Sequence, residues 1–185
     1  MKRGFAWLTV VLAGAALGGC STAIKEGVGL ATGARGSVTV VESALAGKES
    51  RPLGVYRRFE LGELTDDMGG RVPPELFSLL PAAFEKALAA KKIPNAPAGK
   101  TLLIRGKVLH YEDSSVVGKA LGPLEFVVAR VQFVDKDSGK VLATANCVGR
   151  TTTRVNLGVA RKAEGLAKAI VRWIDERYPK DKRLE

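Results

Sequence analysis

Histidine and cysteine are almost missing from this chain. One histidine, His110, stands in 185 residues, beside two cysteines, Cys20 and Cys147. A single imidazole excludes zinc sites built on several histidines. No disulfide framework is expected either, because Cys20 has another role by position and Cys147 is then left without a partner. A run of about 20 apolar residues, long enough to span a bilayer comfortably, is also lacking near the start, where the apolar stretch extends only from Phe5 to Leu17. The glycine-rich segment Gly29 to Ser37 lacks the Gly-Lys-Ser/Thr ending that places a lysine on phosphates, which excludes a phosphate loop there. Acidic residues are few: 19 against 29 basic ones, a formal net charge of +10. A positive surface favours anionic partners and keeps the chain soluble, but says nothing about fold.

The N-terminus is informative. Lys2 and Arg3 precede the apolar stretch, and the small residues Gly18 and Gly19 end it directly before Cys20. That order of charge, short apolar core and small residues is the pattern of a secretion signal. Leu17-Gly18-Gly19-Cys20 resembles the lipobox of bacterial lipoproteins, with Gly18 where Ala or Ser is commoner. The resemblance implies that residues 1–19 are removed and that Cys20 carries acyl chains, palmitate among them. Each buried CH₂ contributes about 0.8 kcal/mol, so several chains hold a protein on a membrane. Ser21, in place of the Asp associated with inner-membrane retention, implies sorting to the outer membrane, on its periplasmic side.

Residues 20–52 read as the lipidated cysteine and a glycine-rich tether, in which Val38 to Val41 could add an edge strand. The domain is expected over 53–178, with a charged tail at 179–185. Leu53 to Leu61 reads as a strand. Leu76, Leu80, Phe84 and Leu88 recur every four residues and predict a helix, in which Pro81 marks a kink or a restart. Leu102 to Glu112 alternates as a strand, with Arg105 and Lys107 outward. Two further strands meet at the turn Asp135 to Gly139. A last amphipathic helix runs from Asn156 to Tyr178, with Arg161, Lys162, Lys168 and Arg172 largely off its apolar stripe. The expected class is α+β: a mainly antiparallel four-stranded sheet with two helices packed on one face, in the order β-α-β-β-β-α. The stretches Leu102 to Val108, Phe126 to Phe133 and Asp137 to Ala143, followed by the amphipathic helix, resemble a family of Gram-negative lipoproteins of unknown function. The resemblance spans Leu53 to Tyr178 and implies no catalytic residues.

Candidate site residues are few. His110 near Glu112 could act as a general base with a distant carboxylate, Asp66 or Asp67, in a cell-envelope hydrolase. No nucleophile adjoins it, and a strand-end histidine is the simpler reading. Cys147 reads as a small core residue. Thr151 to Arg154 could bind an anion or a glycan but reads first as edge strand. Val116, Val117 and Leu121 are apolar groups in a connection between strands and are the expected contact surface. The leading expectation is a non-catalytic binding or assembly module of the cell envelope, held on the membrane through Cys20, with an envelope protein or anionic ligand as partner. Neither cofactor, metal nor nucleic acid is expected. A carrier of an apolar ligand is a third reading.

Overall fold

A computed structural model describes residues 34–45, 50–112, 125–151 and 158–184. Seven regular elements follow in order: β1 Arg35–Ser43, β2 Arg58–Asp66, α1 Pro74–Ala90, β3 Thr101–Tyr111, β4 Phe126–Asp135, β5 Val141–Arg150 and α2 Gly158–Asp175. The strands form one sheet in the order β1-β5-β4-β3-β2.

The α+β class stands, but the sheet corrects the expectation of four antiparallel strands in two ways. It has five strands, because Arg35–Ser43, read as part of the tether, pairs with β5 along its length. It is also mixed, since β2 and β3 run parallel while the other neighbours are antiparallel. The parallel pair has a simple cause: α1 lies between β2 and β3 in sequence, and a helical crossover returns the chain to the same end of the sheet.

Leu53 to Leu61, expected as one strand, is instead a 3-10 turn over Pro52–Val55 and a strand that begins at Arg58 and runs to Asp66. Local sequence explains the other elements. In β3, Leu102, Ile104 and Val108 are buried while Arg105 and Lys107 are exposed. The β4–β5 hairpin has the expected register, with Ala129 opposite Cys147, Val131 opposite Ala145 and Phe133 opposite Ala143. Gly139 takes φ 70° in its turn, a conformation glycine adopts without strain. Helix α1 is continuous through Pro81, which lies on its exposed side, so water can serve the carbonyl that the ring leaves unbonded. The helix ends in a Schellman arrangement: Lys92 is left-handed at φ 56°, and the Ile93 amide donates to the Leu88 carbonyl at 3.1 Å.

The core joins the inward residues of the sheet to both helices. Phe133 stacks on Trp173 with centroids 3.7 Å apart. Helix α2 rests on β1 and β5 through Gly36, Gly149 and Gly165, where backbones meet directly. A Cβ at Gly149 would lie 2.7 Å from the Lys162 carbonyl oxygen, and one at Gly36 would lie 2.6 Å from that of Gly165. Gly36 thus serves close packing, not the flexibility of a tether.

Asp135 closes the hairpin. Its carboxylate receives hydrogen bonds from the Tyr56 hydroxyl at 2.7 Å and from the Ser138 amide at 3.0 Å, and pairs with Lys100 at 2.9 Å. Lys100 first, then Tyr56 and Ser138, hold its pKa well below the usual carboxylate range. A depressed folded pKa gives stability that is complete above the unfolded value, about 4, and is lost as pH falls toward the folded one. Stability should therefore fall as pH drops below about 4, and Asp135→Asn should remove part of that slope. Urea midpoints at pH 6 and pH 3 check it; an equal loss in the variant would exclude Asp135 as a cause.

Candidate functional site

Two regions gather polar groups of interest. The first lies where β3, β4 and α2 come together. Lys162 on α2 is 1% exposed. Its ammonium pairs with Glu125 at 2.7 Å, donates to the Glu112 backbone carbonyl, and sits 4.1 Å from the centre of the Tyr111 ring. Among the described residues, the buried Oε2 atom of Glu112 has no hydrogen-bond partner. Placing Lys162 off the apolar stripe is thus corrected. The signal was in the spacing: Lys162 precedes Leu166 by one helical turn, and Ile170 and Trp173 continue the same face.

His110 lies beside this cluster but is exposed, stacked on Phe126 with centroids 4.9 Å apart. The carboxylates considered for it are engaged elsewhere. Asp66 accepts from the amides of Met68, Gly70 and Val72, and Asp67 pairs with Lys107 at 2.8 Å. Among the described residues, no hydrogen bond or ion pair joins either one to His110. Cys147 is fully buried in the core, and burial pushes its thiol up to about 12. Its reactive thiolate is therefore scarce at neutral pH. Thr151 is buried, and its amide donates to the Glu125 carbonyl at 2.9 Å. Cys20, Ser21, Val116, Val117, Leu121 and the stretch Thr152 to Arg154 lie outside the described residues.

The second region is the sheet face away from the helices. Here Lys107 stands directly opposite Arg130, and Arg105 opposite Gln132. Like charges facing each other across strands cost stability. Lys107 has Asp67, but the two arginines meet neutral groups. Arg105 Nε donates to Gln132 Oε1 and Arg130 Nε donates to Asn146 Oδ1, each at 3.2 Å. Each guanidinium is thereby oriented through Nε, with its two terminal nitrogens left to point elsewhere. A shallow depression of about 550 Å³ lies between them, edged by Thr65, Leu103, Thr144 and one carboxylate, Glu63.

A larger groove, about 830 Å³, runs between α1, α2 and the start of β1. Its charges largely cancel one another, since Lys91 pairs with Asp175 at 3.1 Å, Lys168 with Glu164 at 2.8 Å and Arg172 with Glu176 at 3.2 Å. On the sheet face, Arg105 and Arg130 have no ion-pair partner among the described residues.

No protein-family model matches the sequence, and no curated protein matches it. Among solved structures, the chain is similar to PelC from Paraburkholderia phytofirmans, which is a dodecamer. The TM-score is 0.50 at 13% identity, over 78% of this chain and 99% of that one. The L103M variant of PelC gives the same values. The chain is also similar to a minor lipoprotein from Acinetobacter baumannii, with TM-score 0.41 at 21% identity, over 65% of this chain and 94% of that one. The likeness to PelC is one of fold alone, and the second is too distant to carry an argument.

Proposed function

We propose that the chain is a lipoprotein of the outer membrane, anchored through acyl chains on Cys20, whose domain is a non-catalytic binding module facing the periplasm. Its open sheet face takes an anionic envelope ligand. One observation carries this reading: Arg105 and Arg130 are oriented by neutral amides and keep their terminal nitrogens available. Such a fork matches carboxylate and phosphate geometry. The excess of positive charge draws such ligands in.

Binding of fluorescent carboxymethyl-dextran to the detergent-solubilised full chain tests it, with uncharged dextran as control. The charged polymer should bind, less tightly as salt rises. Replacing Arg105 and Arg130 together by Gln should weaken binding about tenfold, the equivalent of about 1.4 kcal/mol. Equal binding by the variant would remove the face as the site. For the anchor, Cys20→Ala should abolish incorporation of an acyl-chain label in cells; label retained in the variant would refute lipidation at that residue.

The shared fold favours a second reading, assembly of several copies, since PelC is a dodecamer. Light scattering of the solubilised chain decides it, and a monomer at micromolar concentration would exclude it.

A further inference from the structure

Strand β1 is an edge of the sheet: β5 pairs with one side of it, and among the described residues no strand pairs with the other. An edge strand offers a row of unpaired amides and carbonyls, which soluble proteins usually protect with short length, lysine or proline. Here the edge is nine residues long, Arg35–Ser43, contains neither lysine nor proline, and is interrupted by one bulge, between Val40 and Glu42, which leaves Arg35 to Val40 in regular register. Val40 and Val41 are 36% and 49% exposed.

The charges on this strand are Arg35 near its start and Glu42 near its end. Neither side chain has an ion-pair partner among the described residues. Seven positions apart, they would face opposite sides of a regular strand. A bulge between Val40 and Glu42 changes that. It places Glu42 opposite Thr144, while Arg35, Ser37 and Thr39 stand opposite Arg150, Val148 and Asn146. All four residues therefore lie on the open face, and Val38 and Val40, opposite Cys147 and Ala145, lie on the helix face.

We infer that β1 pairs antiparallel with β1 of a second copy about a two-fold axis at Val38, so that one sheet runs through both copies. Val38 then faces Val38, Ser37 faces Thr39, Gly36 faces Val40, and Arg35 faces Glu42 across the bulge. Every pair lies on a common face, as a two-fold axis normal to the sheet demands. Charge complementarity selects this register, because it makes the Arg35–Glu42 contact twice. It also offsets the like-charge pair of Arg35 with Arg150 inside each sheet. The exposed valines are brought toward the other copy. On the opposite edge, β2, Glu60 is already paired with Arg58 at 3.3 Å and with Lys136 at 2.8 Å, and Asp66 is held by backbone amides. The inference stands apart from the anionic-ligand reading, and a two-fold pair is narrower than assembly in general.

The test uses the full chain in detergent, with mass read by light scattering and register read by cross-linking. The wild type should dimerise. Glu42→Arg and Arg35→Glu should each raise the dissociation constant about tenfold, as two exposed ion pairs become repulsive. The combined Arg35→Glu and Glu42→Arg chain should recover the dimer, which a folding defect would not. Mixed Ser37→Cys and Thr39→Cys copies should form a disulfide between them, because opposed Cβ atoms lie about 4.5–5.5 Å apart. Three results overturn the inference: a monomer at all concentrations, an assembly indifferent to both charge reversals, or Ser37→Cys copies linking to one another as readily as to Thr39→Cys copies. An assembly indifferent to the reversals would still leave the wider assembly reading standing.

Discussion

Gly149→Ala should lower stability by about 3 kcal/mol and the melting temperature by about 10 °C, a large effect for one methyl group. The methyl group would meet backbone, with the Lys162 carbonyl oxygen and the Gly165 carbonyl carbon each 2.7 Å from its position. Backbone cannot rotate away as a side chain can. Helix α2 would have to lift from the sheet, and Leu166, Ile170 and Trp173 would lose packing together. Gly165→Ala should act in the same direction, although alanine ordinarily favours a helix over glycine by about 1 kcal/mol. Its Cβ would lie 2.9 Å from the Arg150 nitrogen and the Arg35 oxygen. Gly62→Ala is the control: its nearest neighbour is the mobile end of the Leu103 side chain, so a loss under about 1 kcal/mol is expected. Thermal melts of the three variants decide the point. A wild-type melting temperature in Gly149→Ala would mean that α2 does not sit this close to the sheet.

The second large effect concerns the buried lysine. Lys162→Met keeps most of the volume but withdraws the ammonium from Glu125 and the donor from the Glu112 carbonyl. Breaking one side of a buried ion pair costs about 3–5 kcal/mol, more than the intact pair contributes over an apolar replacement. Lys162→Met combined with Glu125→Met should therefore recover much of the loss. Urea denaturation of the two single variants and the double completes a thermodynamic cycle, with a coupling of about 2 kcal/mol or more expected. Strict additivity would show that the 2.7 Å contact carries no coupling in solution.

Much of the core was legible because alternation and helical period report burial directly. Leu102, Ile104 and Val108 on β3, and Leu76, Leu80, Phe84 and Leu88 on α1, lie where their spacing placed them. Lys162 was misread because charge was given more weight than position. On a helix, a residue one turn before Leu166 shares its face whatever its type, and a partner from another element then decides whether burial is tolerable. That partner, Glu125, is 37 residues away in sequence, and no local pattern connects the two. The arginine face was half legible: period two put Arg105 and Lys107 outward, but only the strand register set Arg130 opposite Lys107.

By itself, the sequence determined the two helices, the strands β3, β4 and β5 with most of their inward residues, and the hairpin at Asp135 to Gly139. These follow from interactions between residues a few positions apart, where side-chain period and turn chemistry act. Tertiary structure alone decided the rest: that Arg35–Ser43 joins the sheet as a fifth strand, that β2 and β3 run parallel, and that a lysine is buried. Gly36 shows the reason. In the chain it is one glycine among many and suggests flexibility. In the folded protein it lies against Gly165 of a helix 129 positions away, and the lack of a side chain is what allows the two backbones to meet.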